Sequence, residues 1–183
     1  MWRGTLRQKT IHQPRNVRNR RGNVLVEFAL VLTPFFALIL SIVELSLPIF
    51  EKSTFTNAVR EGCRYGITFQ TSYNGTTYGT QTAAITAVVE ANSMGFLNSS
   101  NANLISVQYY NSTTFAQVTG TGANADGNIV VVSTNGYTYN WIDPIAWFWG
   151  GTTFSVTRSP LTINATAADR LETLPVGTTR PSP

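Results

Sequence analysis

The chain has 183 residues, 43% hydrophobic and 12% charged, which suits one domain of ordinary size and is too apolar for a disordered tail. Its formal net charge of +4 is segregated: residues 1–21 hold seven of the thirteen Lys and Arg and no acid, and residues 23–183 hold six basic and nine acidic residues, so bulk charge does not describe a nucleic-acid binder. One cysteine, Cys63, and one histidine, His12, which lies in the basic leader, exclude an intramolecular disulfide framework and leave the folded part without a zinc ligand set or a His-based triad, so neither cofactor, metal nor enzymatic activity is expected.

Residues 1–22 form a basic leader and residues 23–48 a membrane-spanning helix. The stretch 24–50 reads VLVEFALVLTPFFALILSIVELSLPIF, with Glu27 near its start and Glu44 near its end. About 20 apolar residues cross a hydrocarbon core. Pro34 removes a backbone donor and predicts a kink. The basic leader puts the N-terminus in the cytoplasm and exports the chain beyond residue 48. A cleavable secretory signal fits poorly, because its cleavage positions would fall on Val43 or Glu44. A twin-arginine signal built on Arg20-Arg21 fails at Asn23, where an apolar residue is needed. A plain signal anchor stays open as an alternative.

Glu27 is the most informative single residue. A carboxylate within an apolar span costs roughly 2.5–3.5 kcal/mol on insertion scales, so it needs a partner. The string Arg20-Arg21-Gly22-Asn23-Val24-Leu25-Val26-Glu27-Phe28 resembles the processing site of type IV prepilins. That resemblance implies cleavage between Gly22 and Asn23 by a prepilin peptidase. The new amino group on Asn23 would be largely protonated near neutrality. It also implies that Glu27 pairs with the amino terminus of a neighbouring subunit. The alternative is a glutamate resting at the cytoplasmic interface.

The likeness extends further. Residues 24–32 (VLVEFALVL), then Ile42-Val43-Glu44, then Asn57-Ala58-Val59-Arg60-Glu61-Gly62-Cys63-Arg64-Tyr65, resemble the N-terminal signature of TadE-like proteins. Its signature positions here are Phe28, Glu44, Asn57, Arg60, Glu61, Gly62 and Arg64. Cys63 stands where the family usually has alanine, which implies a small packing residue. A weaker echo lies in Ile163-Asn164-Ala165-Thr166-Ala167, with Arg170 and Glu172. The resemblance covers residues 20–66, with loose support at 160–172. It implies a minor pilin or assembly protein of a tight-adherence (Tad) pilus in the bacterial inner membrane. Its partners would be the membrane, the peptidase and other pilus subunits, with no nucleic acid.

Residues 49–70 read as an extension of the helix, ended by Gly66 or by the Thr/Ser/Asn/Gly-rich run 71–80. Phe55, Ala58, Val59 and Gly62 make a narrow apolar stripe. Arg60, Glu61 and Arg64 lie beside or away from it, either docking the helix or forming a solvated face. Within residues 71–183 an α+β domain is expected. A short helix at 82–94 points Ile85, Val88 and Val89 inward and stops at Gly95. Strands at 104–110 and 115–119 form a hairpin through 111–114, and longer strands occupy 129–139 and 154–167. Together they predict an antiparallel sheet covered on one side by helices. Residues 124–128 have too few acidic ligands for a cation loop. Trp141, Trp147, Phe148 and Trp149 either plug the core or face the membrane or another subunit. Asn74, Asn98, Asn111 and Asn164 start N-x-S/T triplets and receive no role. Glu90, Asp126, Asp143 and Asp169 show no convergent spacing for hydrolysis. The reading that competes with a pilin is a membrane-anchored binding domain that keeps its leader.

Overall fold

The structure, a computed structural model, describes residues 18–142, 159–174, 177 and 179–183, with backbone only at 18–21. Two compact units are present, Met1–Ser41 and Ile42–Pro183, and helix α1 (Arg18–Gly66) contributes to both. In the first unit the side chains of Val24, Leu25, Val26, Phe28, Leu30 and Val31 are all exposed. Neither Pro34 nor Pro48 ends the helix. The hydroxyls of Thr33 and Ser41 donate to the carbonyls four residues back, at 2.8 and 2.7 Å. Polar side chains on an apolar helix thus satisfy themselves locally.

The second unit is the expected α+β domain. Strands β3 (Ile105–Tyr110), β4 (Gln117–Val118), β5 (Ile129–Tyr139) and β6 (Leu161–Arg170) form one antiparallel sheet in the order β4-β3-β5-β6. A separate small hairpin joins β1 (Ser72–Tyr73) and β2 (Thr76–Thr77). The register sets Tyr109 opposite Val130, Val107 opposite Val132 and Val132 opposite Ala167. One face therefore carries Ile105, Tyr109, Val130, Val132, Ile163 and Ala165 into the core, and the other carries Thr162, Asn164 and Thr166 into solvent. That alternation is the pleat of a half-buried sheet.

The end of α1 and the whole of α2 (Gln81–Asn92) supply the other half of the core. Thr80 caps α2, its hydroxyl accepting from the Ala83 amide at 3.1 Å. Ile85, Val88 and Val89 are buried, as expected. A Cβ added to Gly62 would lie 2.6 Å from Val89 Cγ2, and one on Gly66 would lie 2.9 Å from Ile85 Cδ1. Absent side chains at these two positions are what let α1 approach α2 and β5. Cys63 fills the same seam, its Sγ 3.2 Å from the Ala167 carbonyl.

Helix α1 ends at Gly66, the first of the two stops expected. Within the run 71–80, Asn74 and Gly75, at φ 50° and 78°, make the tight turn between β1 and β2, for which Asn-Gly is the preferred pair. Several other expectations need correction. Strand β4 is shorter than the 115–119 expected. The side chain of Asn111 accepts from the Thr113 and Thr114 amides and holds a wider loop that consumes Phe115. Strand β6 runs to Arg170, three residues past its expected end, and residues 154–158 lie outside the described residues. Helix α2 stops at Asn92, before Met94 and Gly95 turn the chain at φ 56° and 87°.

The seam sets two expected outcomes. Gly62→Ala lowers stability by about 1–3 kcal/mol, the usual cost of overpacking a close contact, whereas Gly22→Ala, with open space around it, causes no such loss; thermal unfolding followed by near-UV circular dichroism distinguishes them. Burial pushes the Cys63 thiol from 9.0 up to about 11, so maleimide at pH 8 labels it only once the chain is unfolded. Because the unfolded chain loses this proton first, the thiol's contribution to stability is complete below pH 9 and is lost as pH rises towards about 11.

Candidate functional site

From Ile42 onward, α1 buries one row of side chains: Glu44, Pro48, Glu51, Phe55, Val59 and Gly62. The spacing is that of one helix face. The expected apolar stripe is correct from Phe55 to Gly62, but it begins earlier and with carboxylates. Glu44 is only 5% exposed and Glu51 only 8%. Desolvation raises the Glu51 pKa above its ordinary value, and Glu51 Oε2 has no hydrogen-bond partner. Across from this row stand Tyr137 and Tyr139 of β5. Burial raises both phenols, and Glu51 raises them further, joined at Tyr139 by Glu44. The Phe55 and Tyr137 rings meet edge to face with centroids 4.8 Å apart.

The signature residues therefore separate by side. Glu44 and Gly62 face the domain, together with Ala58, Val59 and Cys63. Asn57, Arg60 and Arg64 face outward, and Glu61 is half-buried. Among the described residues, the side chains of these four make no hydrogen bond or ion pair. Ile49, Lys52, Ser53, Thr56, Asn57 and Arg60 line a shallow open groove along that outer side.

Gly22, Asn23, Glu27 and Phe28 lie on α1 in the first unit, all exposed. Glu27 has no hydrogen bond or ion pair among the described residues, although Val26 and Phe28 flank it. Trp141 is half-buried; its ring meets Tyr139 edge-on at 5.4 Å, and its Nε1 donates to the Ser159 carbonyl at 3.1 Å. Trp147, Phe148, Trp149 and Asp143 lie outside the described residues.

Nothing converges into a catalytic arrangement among the described residues. Glu90 is on α2, Asp169 on β6, and Asp126 is ion-paired with Arg180. No three of His, Cys, Asp and Glu are grouped to hold a metal among the described residues. Asn124 serves a structural purpose instead. Its Nδ2 donates to Gln81 Oε1 at 2.6 Å and to the Pro181 carbonyl at 2.9 Å, while Gln81 Nε2 caps the Gly66 carbonyl at the end of α1. Gln81 and Asn124, both fully buried, thus tie α1, α2 and residues 181–182 together. Sequence periodicity carries no signal for it, because both amides sit outside any apolar pattern.

No curated protein and no solved structure matches the chain. One family model does match, that of the TadE-like proteins, over residues 22–64. The matched stretch begins at the glycine before Asn23 and ends with Arg64, so it takes in the exposed apolar helix and both sides of its continuation. Over residues 22–64 the chain is similar to the TadE-like proteins.

Proposed function

We propose that the chain is a structural subunit of a Tad-type pilus system, a minor pilin or assembly protein, that acts by helix packing and catalyses nothing. The observation that carries this reading is Glu27: a carboxylate without a partner among the described residues, set among exposed apolar side chains five positions after Gly22. The match of residues 22–64 to TadE-like proteins supports it.

The physical logic has two parts. Most of the apolar side chains of residues 22–43 are exposed, and α1 is long and apolar enough to cross a bilayer. Burial by the domain begins at Glu44. A span of 23–43 at about 1.5 Å per residue covers about 30 Å, the thickness of a hydrocarbon core, so the exit lies nearer Glu44 than residue 48. The basic leader favours a cytoplasmic N-terminus and an exported domain. The second part concerns charge. Glu27 alone in such a span is costly, and so is a free ammonium, but the two together are tolerable. Cleavage after Gly22 would create that ammonium on Asn23, and the amine of a neighbouring subunit would then pair with Glu27. Gly22 is helical here; glycine costs about 1 kcal/mol within a helix relative to alanine, so opening the turn for a membrane peptidase is inexpensive at this point.

Intact mass of the protein purified from membranes should begin at Asn23. Glu27→Ala should be exported and folded, with the unfolding temperature of the parent protein, yet fail to co-purify with pilus subunits. Recovery of the chain with its leader attached would favour an anchored binding domain, and normal incorporation of Glu27→Ala would remove the pairing.

A further inference from the structure

We infer that the end of the domain at which α1 enters is a lipid-contact surface: an apolar rim that rests on the bilayer and fixes how the domain stands over it. This rests on the reading of α1 as a membrane span. The rim is drawn from three parts of the chain. On α1 it comprises Ile49 and Phe50, 69% and 50% exposed; after α2 it comprises Met94, 72% exposed; beyond β5 it comprises Ile142, 65% exposed, with Leu161 at the start of β6.

These residues lie at one end of the domain. Phe96, two residues after Met94, stacks edge-on against Phe50 at 6.3 Å and Phe55 at 6.0 Å. Tyr139 feels the charges of Glu44 and Glu51, pairs with Leu161 across the sheet, and contacts Trp141, the neighbour of Ile142. At about 100° per residue, Phe50 and the Glu44–Glu51 row are about 120° apart around α1. The apolar side chains therefore flank the helix on at least two sides, where a single protein partner would cover one.

Three further observations favour lipid as the occupant. The rim follows closely on the exposed apolar residues Ile42, Val43 and Leu45 of α1, and Ser46, the polar residue between them, turns its hydroxyl onto the Val43 carbonyl. The carboxylates at this level, Glu44 and Glu51, are turned inward and buried, leaving the outside uncharged up to Lys52, whose ammonium stands where headgroup phosphates would be. Met94 is held outward on a left-handed backbone, φ 56°, a conformation unfavourable for a side chain of this size. A strained turn that presents an apolar side chain to water gains nothing; presented to lipid, it gains burial. Trp141, with its Nε1 bonded and its ring half-buried, has the amphipathic form typical of interfaces.

The test uses the full chain carrying Cys63→Ala and reconstituted in vesicles of phosphatidylethanolamine and phosphatidylglycerol, with single nitroxide labels on Met94→Cys, Ile142→Cys, Leu38→Cys and Thr166→Cys. Collision with oxygen, which concentrates in lipid, is compared with collision with a water-soluble nickel chelate. Labels at 94 and 142 should resemble the one at 38, with several-fold higher oxygen-to-nickel ratios than at 166. If 94 and 142 behave like 166 while 38 reports lipid, the rim is overturned and the membrane span stands. A label at 38 in water overturns both. Shielding of 94 and 142 from both reagents, with spin–spin broadening that disappears on dilution by unlabelled chain, would mean that a second copy covers the rim, and would also overturn the inference.

Discussion

One helix must satisfy two solvents. Over residues 22–43 α1 exposes a mostly apolar surface, and from Glu44 to Gly66 it buries one side against its own domain. Everything in the second unit is arranged around that second requirement. The sheet presents Val130 and Val132, α2 presents Ile85 and Val89, and the seam between them closes on Gly62 and Cys63. A larger residue at 62 would push α1 away from Val89 and open the core along its length, because interiors at this density cannot absorb a methyl group without rearrangement. The glycine of the signature is therefore a statement about distance between elements.

Buried polar groups set the two ends of this seam. At one end, Gln81 and Asn124 complete the last turn of α1 and receive residues 181–182. At the other, Glu44 and Glu51 lie beneath the sheet, next to Tyr137 and Tyr139. The two junctions differ in kind. The amides at the first end share three hydrogen bonds and leave only Asn124 Oδ1 unpartnered, while the second end holds two carboxylates in a desolvated position, with Glu51 Oε2 and Tyr139 Oη unpartnered. A buried carboxylate oxygen without a hydrogen-bond partner, as at Glu51, weakens a fold.

How much of this could be read from the residues alone depends on the range of the interaction. The helical core of the site was legible because Phe55, Ala58, Val59 and Gly62 repeat at helical spacing, and β5 was legible because Ile129 to Val132 are β-branched and lead into an alternating run. The Asn74-Gly75 hairpin was also within reach, since that dipeptide is a local turn signal, but its two-residue strands are too short to show alternation. Glu44 and Glu51 were not legible as buried, because a carboxylate near the end of an apolar run ordinarily marks the return to water. Only the fold, which brings β5 back over α1, turns them inward. The same holds for Gln81 and Asn124, whose partners lie 15 to 57 residues away.

The split of the signature carries the last step. Gly62, Cys63 and Glu44 have full employment within the chain, in close packing and in burial beneath the sheet. Asn57, Arg60 and Arg64 have none among the described residues, yet they belong to the same matched stretch of helix. Long exposed cations contribute little to the stability of an isolated domain, so their presence on one outward row of α1 is not a requirement of this fold. The proposed role as a pilus subunit would give such a division a use: one side of the helix committed to its own domain, and the other side, with its charges uncompensated among the described residues, open to a partner.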